Sequence, residues 1–278
     1  NFVRFSRDEK YLKENRNLLS RALSLLPPGF VTIVDPATGN GVGPKIMSSL
    51  IQELGRTARI IGIDPDHYAL ENARATTPST SSCSIEFIEG VAQETDRLVE
   101  GKISPEGADM ATILNAIHEI PTQEAKEKSL RSVTRTLKKG GIGVINSAFT
   151  TIAMGEAGFK YGKWKLKAFS LVGGRLDRSI EPIKIHTPEE YIKMIIAAGL
   201  KILYEGKETV ELSKEALSAI SQYPAFIEGV FGNMVGTEKL SLKDKSDALI
   251  KALDELRITQ LPRVWHEVIA QKPLSAAA

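Results

Sequence analysis

Val34-Asp35-Pro36-Ala37-Thr38-Gly39-Asn40-Gly41-Val42-Gly43 is the stretch from which the fold is read. It follows directly on Phe30-Val31-Thr32-Ile33, a β-branched apolar run, and precedes Ile46, Met47, Leu50, Ile51 and Leu54, whose spacing is that of a helix face. Strand, glycine turn and helix thus succeed one another. Small residues at 37, 39 and 41 let the backbone turn sharply and let a bulky ligand lie against main-chain amides and a helix N-terminus. A glycine turn serves equally well as a tight connection. Asp64 is what makes this one a candidate site, because it ends the next buried run, Arg59-Ile60-Ile61-Gly62-Ile63. A carboxylate there can accept hydrogen bonds from both hydroxyls of a ribose.

Outward from this unit the alternation continues. Tyr11, Leu12, Leu18, Leu19, Ala22, Leu23 and Leu25 predict a helix that stops at Pro27-Pro28. A helix with Tyr68, Leu70 and Ala73 follows Asp64. Strands are predicted at Ile85-Glu86-Phe87-Ile88, Asp109 to Ile117 and Ile142-Gly143-Val144-Ile145, with a helix from Thr122 to Leu137 between the last two. Strands alternating with helices predict an α/β fold with a Rossmann-like, doubly wound and mostly parallel sheet. From Ser147 to Ile185 the pattern turns irregular, with five glycines, and is read as a loop-rich insertion. Thr187-Pro188-Glu189-Glu190 opens a capped helix that Gly199 stops, a strand follows over 201–212, and broken helices follow over 213–260. Val264 to Ala270 supplies a final strand.

The expected organisation is an N-terminal cap helix (1–29), a core (30–149), a lid insertion (150–186), a core continuation (187–212), a helical cap insertion (213–260) and a last core strand with its tail (261–278). With 42% hydrophobic and 25% charged residues among 278, the chain can bury an ordinary globular core. No apolar run approaches the roughly 20 residues of a membrane span, so no integral membrane segment is expected. Cys83 stands alone, which rules out an intrachain disulfide, argues against a cysteine-built metal site and suits a reducing, cytoplasmic setting. The net charge of +2 comes from interleaved acids and bases, unlike the basic field of a nucleic-acid binder. A small molecule is the expected partner, and a homodimer stays open.

Asp35-Pro-Ala37-Thr-Gly39-Asn-Gly41 resembles the D-x-A/G-x-G-x-G loop of class I S-adenosylmethionine-dependent methyltransferases, in the form common in the ubiquinone/menaquinone methyltransferase-like branch. Asn115-Ala116-Ile117-His118-Glu119-Ile120, Leu137-Lys138-Lys139-Gly140-Gly141 and the helix from Thr187 are similar to the family's segments after the fourth strand, before the fifth and before the sixth. The resemblance implies seven strands with an antiparallel last strand, S-adenosylmethionine as cofactor and S-adenosylhomocysteine as product. It implies that Asp35, Ala37, Gly39 and Gly41 cradle the donor, with Asp35 meeting its cationic part, and that Asp64 and Pro65 take the ribose side. Gly90, Val91 and Ala92 would line the adenine pocket, and Asn115 would stand at the donor. This chain departs from the family at Val91, where an acid commonly receives the adenine amino group.

Asp35 and the spacing to Pro44 speak against a dinucleotide dehydrogenase, whose pyrophosphate an acid would repel. A methyltransferase acting on an O, N, S or C nucleophile of a natural-product or quinone-like molecule leads. A same-fold enzyme that uses the sulfonium for elimination or cyclisation stands second. His118, just past the fourth strand, is the candidate general base, with packing against the donor or capping of the next helix as its plainer role. Tyr11, Tyr161, Trp164 and His186 are candidate acceptor contacts, the two aromatics of 150–186 either in a lid or packed on a core. His67 reads as surface, His266 and Asp109 as structural. The isolated histidines build no metal site.

Overall fold

A computed structural model describes residue 5 and residues 8–148, 155–176, 186–232 and 234–274. The chain divides into two compact units, one of residues 1–12, 149–185 and 209–264, the other of 13–148, 186–208 and 265–278.

The second unit holds most of a seven-stranded sheet. In chain order the elements of the two units begin with α1 (Glu9–Ser24), β1 (Phe30–Pro36), α2 (Val42–Glu53), β2 (Thr57–Asp64), α3 (His67–Thr76), β3 (Cys83–Glu89), α4 (Thr95–Leu98), β4 (Ala108–Leu114), α5 (Gln123–Thr136) and β5 (Leu137–Ala148). Then come α6 (Glu156–Leu171), β6 (Arg175–Leu176), α7 (Pro188–Ala197), β7 (Lys201–Ser213), α8 (Lys214–Ile220), α9 (Pro224–Phe231), β8 (Met234–Val235), α10 (Leu242–Glu255) and β9 (Gln260–Gln271). The large sheet runs β3-β2-β1-β4-β5-β9-β7. β1 pairs in parallel with β2 and β4, β2 with β3, and β4 with β5, whereas β9 lies antiparallel on β5. The expected seven-stranded, mostly parallel sheet is therefore present, and its order reverses between β1 and β4, where open α/β sheets form a crevice at their carboxyl edge.

Val31, Ile33 and Val34 of β1 and Ile60, Ile61 and Ile63 of β2 are fully buried. Each contributes about 1.5–3 kcal/mol, which is why these runs read as continuous apolar stretches. Helix starts follow the side chains that cap them. Asp66 accepts from Tyr68 and Ala69 N–H, Thr122 from Ala125 N–H, and Thr187 forms a capping box with Glu190.

Three expectations need correction. The predicted strand to Ile117 ends at Leu114, because Asn115 takes φ 55° and the extended backbone cannot pass through a left-handed residue. The Lys138–Gly141 turn belongs to β5, which begins at Leu137, with a register shift and Gly140 at φ 78° absorbing the bend. The segment read as loop-rich carries α6, a helix of 16 residues, in the first unit. Tyr161, Trp164, Ala168 and Phe169 recur at helical spacing on its buried side, where α6 packs against α10, and that burial outweighs the helix cost of Gly158 and Gly162. Parts of the expected lid, residues 150–154 and 177–185, lie outside the described residues, as does residue 149 of the expected core. The first unit also carries the two-stranded β6–β8 sheet, Arg175 opposite Val235.

Candidate active site

The glycine loop leaves β1 through three left-handed residues, Ala37 (φ 59°), Gly39 (φ 53°) and Gly41 (φ 78°). Gly41 has a packing reason to lack a side chain, since a Cβ would stand 3.0 Å from the Ala73 Cβ. Gly39 has none. A Cβ built there meets no protein atom within 4 Å, so space opens above the loop at that position. Gly39 N–H donates to Asp64 Oδ2 at 2.8 Å and Asp66 N–H to Asp64 Oδ1 at 2.9 Å. Two main-chain donors thereby fix the Asp64 carboxylate, and each oxygen keeps a further lone pair for a ligand hydroxyl. Burial raises its pKa, against those two hydrogen bonds.

Asp35 occupies a different place from the one expected. It is 1% exposed, and its carboxylate accepts from Thr38 Oγ1 at 2.6 Å and from Thr112 Oγ1. Instead of presenting a charge to a cationic ligand, it ties the loop to β4. Burial pushes its pKa up to about 6, against the hydrogen bonds from Thr112 and Thr38. Gly43 is forced by this carboxylate, because a Cβ there would sit 2.8 Å from Asp35 Oδ2.

Beyond β3, Gly90 N–H donates to Asp64 O at 3.0 Å, and a Cβ at Gly90 would collide with Leu98. Val91 is 39% exposed and Ala92 is buried behind it. Pro65 is exposed beside Asp64. The backbone N–H of Asn115 donates to Asn146 Oδ1 at 2.6 Å and its side-chain amide to Asn15 Oδ1 at 2.9 Å. Asn146 Nδ2 donates to the same Asn15 oxygen at 3.3 Å. This asparagine triad joins α1, β5 and the end of β4, and holds Asn115 in its left-handed turn.

His118 and His186 are linked through two residues that sequence inspection missed. His118 Nδ1 lies 3.3 Å from Ser147 Oγ, Ser147 and Tyr191 share a hydrogen bond through their hydroxyls, and the buried His186 ring packs 5.5 Å from Tyr191 at 61°. Burial raises the Tyr191 pKa, against the bond to Ser147. The separation of 29 residues between His118 and Ser147 leaves no local signal. Asp109 accepts from Thr32 N–H at 2.7 Å and pairs with Lys138, a structural duty. His67 is at the surface beside Glu89, and His266 bonds Glu205 at 2.7 Å.

The remaining acceptor candidates lie in the first unit. Tyr11 is buried with its ring 5.2 Å from Phe5. Trp164 is fully buried, donates its indole N–H to Leu249 O at 2.9 Å and stacks on Phe226, so it serves this unit's core and presents no aromatic face as a lid. Tyr161 is 8% exposed, next to Trp164. Among the described residues no group of three or more His, Cys, Asp or Glu could hold a metal ion, and no helix is long and apolar enough to cross a membrane.

Comparison with solved structures places this architecture among similar ones. The loganic acid methyltransferase with SAH is 11% identical at a TM-score of 0.60, with 98% of this chain and 95% of that one covered. A SAM-dependent methyltransferase from Methanosarcina mazei is 16% identical at 0.51, covering 91% and 97%. The cyclase SpnF is 15% identical at 0.52, covering 94% and 82%, so the shared fold by itself does not choose the reaction. No curated protein matches the sequence. A family model described as "Methyltransferase domain" does match, over residues 30–185, more than half of the 278 residues and the whole passage from β1 through β5, and the chain belongs to that family.

Proposed function

We propose that the chain binds S-adenosylmethionine at the carboxyl edge of β1, β2 and β3 and passes its methyl group to a nucleophile of a small molecule. The open space over Gly39, beside an Asp64 carboxylate already aligned by two main-chain donors, carries this reading. When bound, the donor supplies an activated methyl on a good leaving group. Asp64 then accepts from the ribose hydroxyls, the loop from Ala37 to Gly41 supports the donor from below, and Asp35 keeps that loop in register through Thr112. Pro65, Gly90, Val91 and Ala92 line the adenine side, with Val91 offering apolar contact where an acid is common. Asn115 borders the donor and takes its orientation from Asn15 and Asn146.

Transfer needs the nucleophile in line with the sulfonium methyl and a proton acceptor only where the nucleophile is protonated. His118 takes that proton, its ring oriented by Ser147. Calorimetry with S-adenosylhomocysteine tests the donor site. Asp64→Ala is expected to lose about 1.5–3 kcal/mol of affinity through lost charge-assisted hydrogen bonds, and Gly39→Val to abolish binding by filling the open space. A folded Asp64→Ala chain with undiminished affinity would refute the ribose assignment. Labelled donor incubated with a panel of phenolic, carboxylate and amine acceptors then identifies the nucleophile.

A further inference from the structure

Four lysines stand on α6, and three are accounted for among the described residues. Lys160 is exposed, Lys163 lies 4.6 Å over the Phe159 ring, and Lys167 pairs with Glu255 at 2.6 Å. Lys165 differs from these. It is partly buried, and among the described residues it has neither a hydrogen-bond partner nor a carboxylate. One turn earlier, and so on the same side of the helix, Tyr161 buries its hydroxyl completely with no hydrogen-bond partner. Arg263 of β9 acts electrostatically on both, and Glu211 of β7 acts on Tyr161. Neither Arg263 nor Glu211 has an ion pair among the described residues. Burial depresses the Lys165 pKa, with Arg263 pushing the same way, and burial raises Tyr161 to about 12.

A buried phenol without an acceptor and a desolvated ammonium without a counter-charge each destabilise a fold. All four groups belong to the first unit. What Tyr161, Lys165 and Arg263 lack in common is an acceptor of hydrogen bonds that carries negative charge. Two cations and one carboxylate leave a single net positive charge, which matches a monoanion better than a phosphate dianion. A guanidinium presents a planar fork that fits the two oxygens of a carboxylate.

We propose that Tyr161, Lys165 and Arg263 form a binding site for the carboxylate of a small organic acid, with Glu211 setting the preference for a single negative charge. This deepens the methyl-transfer reading, and rests on it, only where that acid is identified with the methyl acceptor. The test uses the full chain at constant ionic strength, titrated with acetate, benzoate or inorganic phosphate against chloride and read by thermal shift and calorimetry. A saturable rise in melting temperature with acetate or benzoate is expected, weakened about tenfold or more by Lys165→Met and by Tyr161→Phe. Glu211→Gln is expected to tighten binding and to admit phosphate. S-adenosylhomocysteine affinity, measured in each variant, shows that the chain is folded. Absence of saturation with either carboxylate, undiminished affinity in both weakening variants, or saturation by phosphate alone in the wild-type chain would overturn the site. Carboxylate binding without S-adenosylhomocysteine binding would overturn the donor reading and leave this site standing.

Discussion

Asp35 permits the most quantitative test of how the glycine loop is held. Its carboxyl is 1% exposed, and burial raises its pKa from 3.8 to about 6 even with two threonine hydroxyls donating to it. A carboxyl whose folded pKa lies above its unfolded one keeps its proton more tightly in the fold. The folded state therefore loses stability as pH climbs from the ordinary value to the raised one, and the loss is complete above it. At about 1.4 kcal/mol per tenfold in proton affinity, that window is worth about 3 kcal/mol. Asp35→Asn removes the ionisation and keeps one oxygen for a threonine hydroxyl, while the other hydroxyl can turn to accept from the amide. Urea unfolding of both chains between about pH 4 and pH 8 reads the difference. The variant is expected to gain on the wild type by about 3 kcal/mol across the window below pH 6 and to run parallel to it above. Other carboxyls with raised pKa values cancel in this comparison because both chains carry them. A wild-type-minus-variant difference that stays level across the range would refute the claim that burial outweighs the two threonine hydrogen bonds at Asp35.

His118→Ala is expected to cut turnover by roughly 10²–10⁴-fold with donor affinity unchanged and the acidic limb of the pH–rate profile lost; turnover within a few-fold of wild type at neutral pH would reduce His118 to packing. Trp164→Ala removes a fully buried indole and strands the Leu249 carbonyl, so chemical denaturation should show a loss of about 3–5 kcal/mol; a loss below about 1 kcal/mol would contradict its place in the core. Glu267 is buried with Oε1 unpartnered, and burial, with Glu208 and Glu14 adding to it, raises its pKa to about 7. Glu267→Gln should therefore stabilise the chain above that pH and hardly change it well below, and an equal effect at both ends would count against the assignment.

What could be read from the residues alone follows from how far apart the cooperating groups lie. Gly39, Gly41 and Asp64 belong to one strand–turn–helix–strand passage, and the hydrogen bond from Gly39 N–H to Asp64 spans 25 residues. Fully buried parallel strands announce themselves as apolar runs, so the sheet and its donor edge were legible together. The asparagine triad was not, because Asn15 reaches Asn115 across 100 residues and Asn146 across 131. Nor was the Ser147–Tyr191 bridge between the two histidines, whose members come from β5 and α7. Asp35 was legible as an acid at a strand end, but Thr112 on the neighbouring strand, whose hydroxyl donates to its carboxylate, was not.

α6 failed for a different reason. Its glycines lower intrinsic helix propensity, and only the packing of Tyr161, Trp164 and Phe169 in the first unit repays that cost. The same separation bears on specificity. The family match runs over 30–185, whereas Glu211 and Arg263 lie beyond its end, on β7 and β9. A donor site built within one short passage can keep its residues in a recognisable order through wide divergence. A carboxylate site assembled from a helix and two distant strands is free to change one member at a time, so its chemistry has to be found in unpartnered groups of the folded chain.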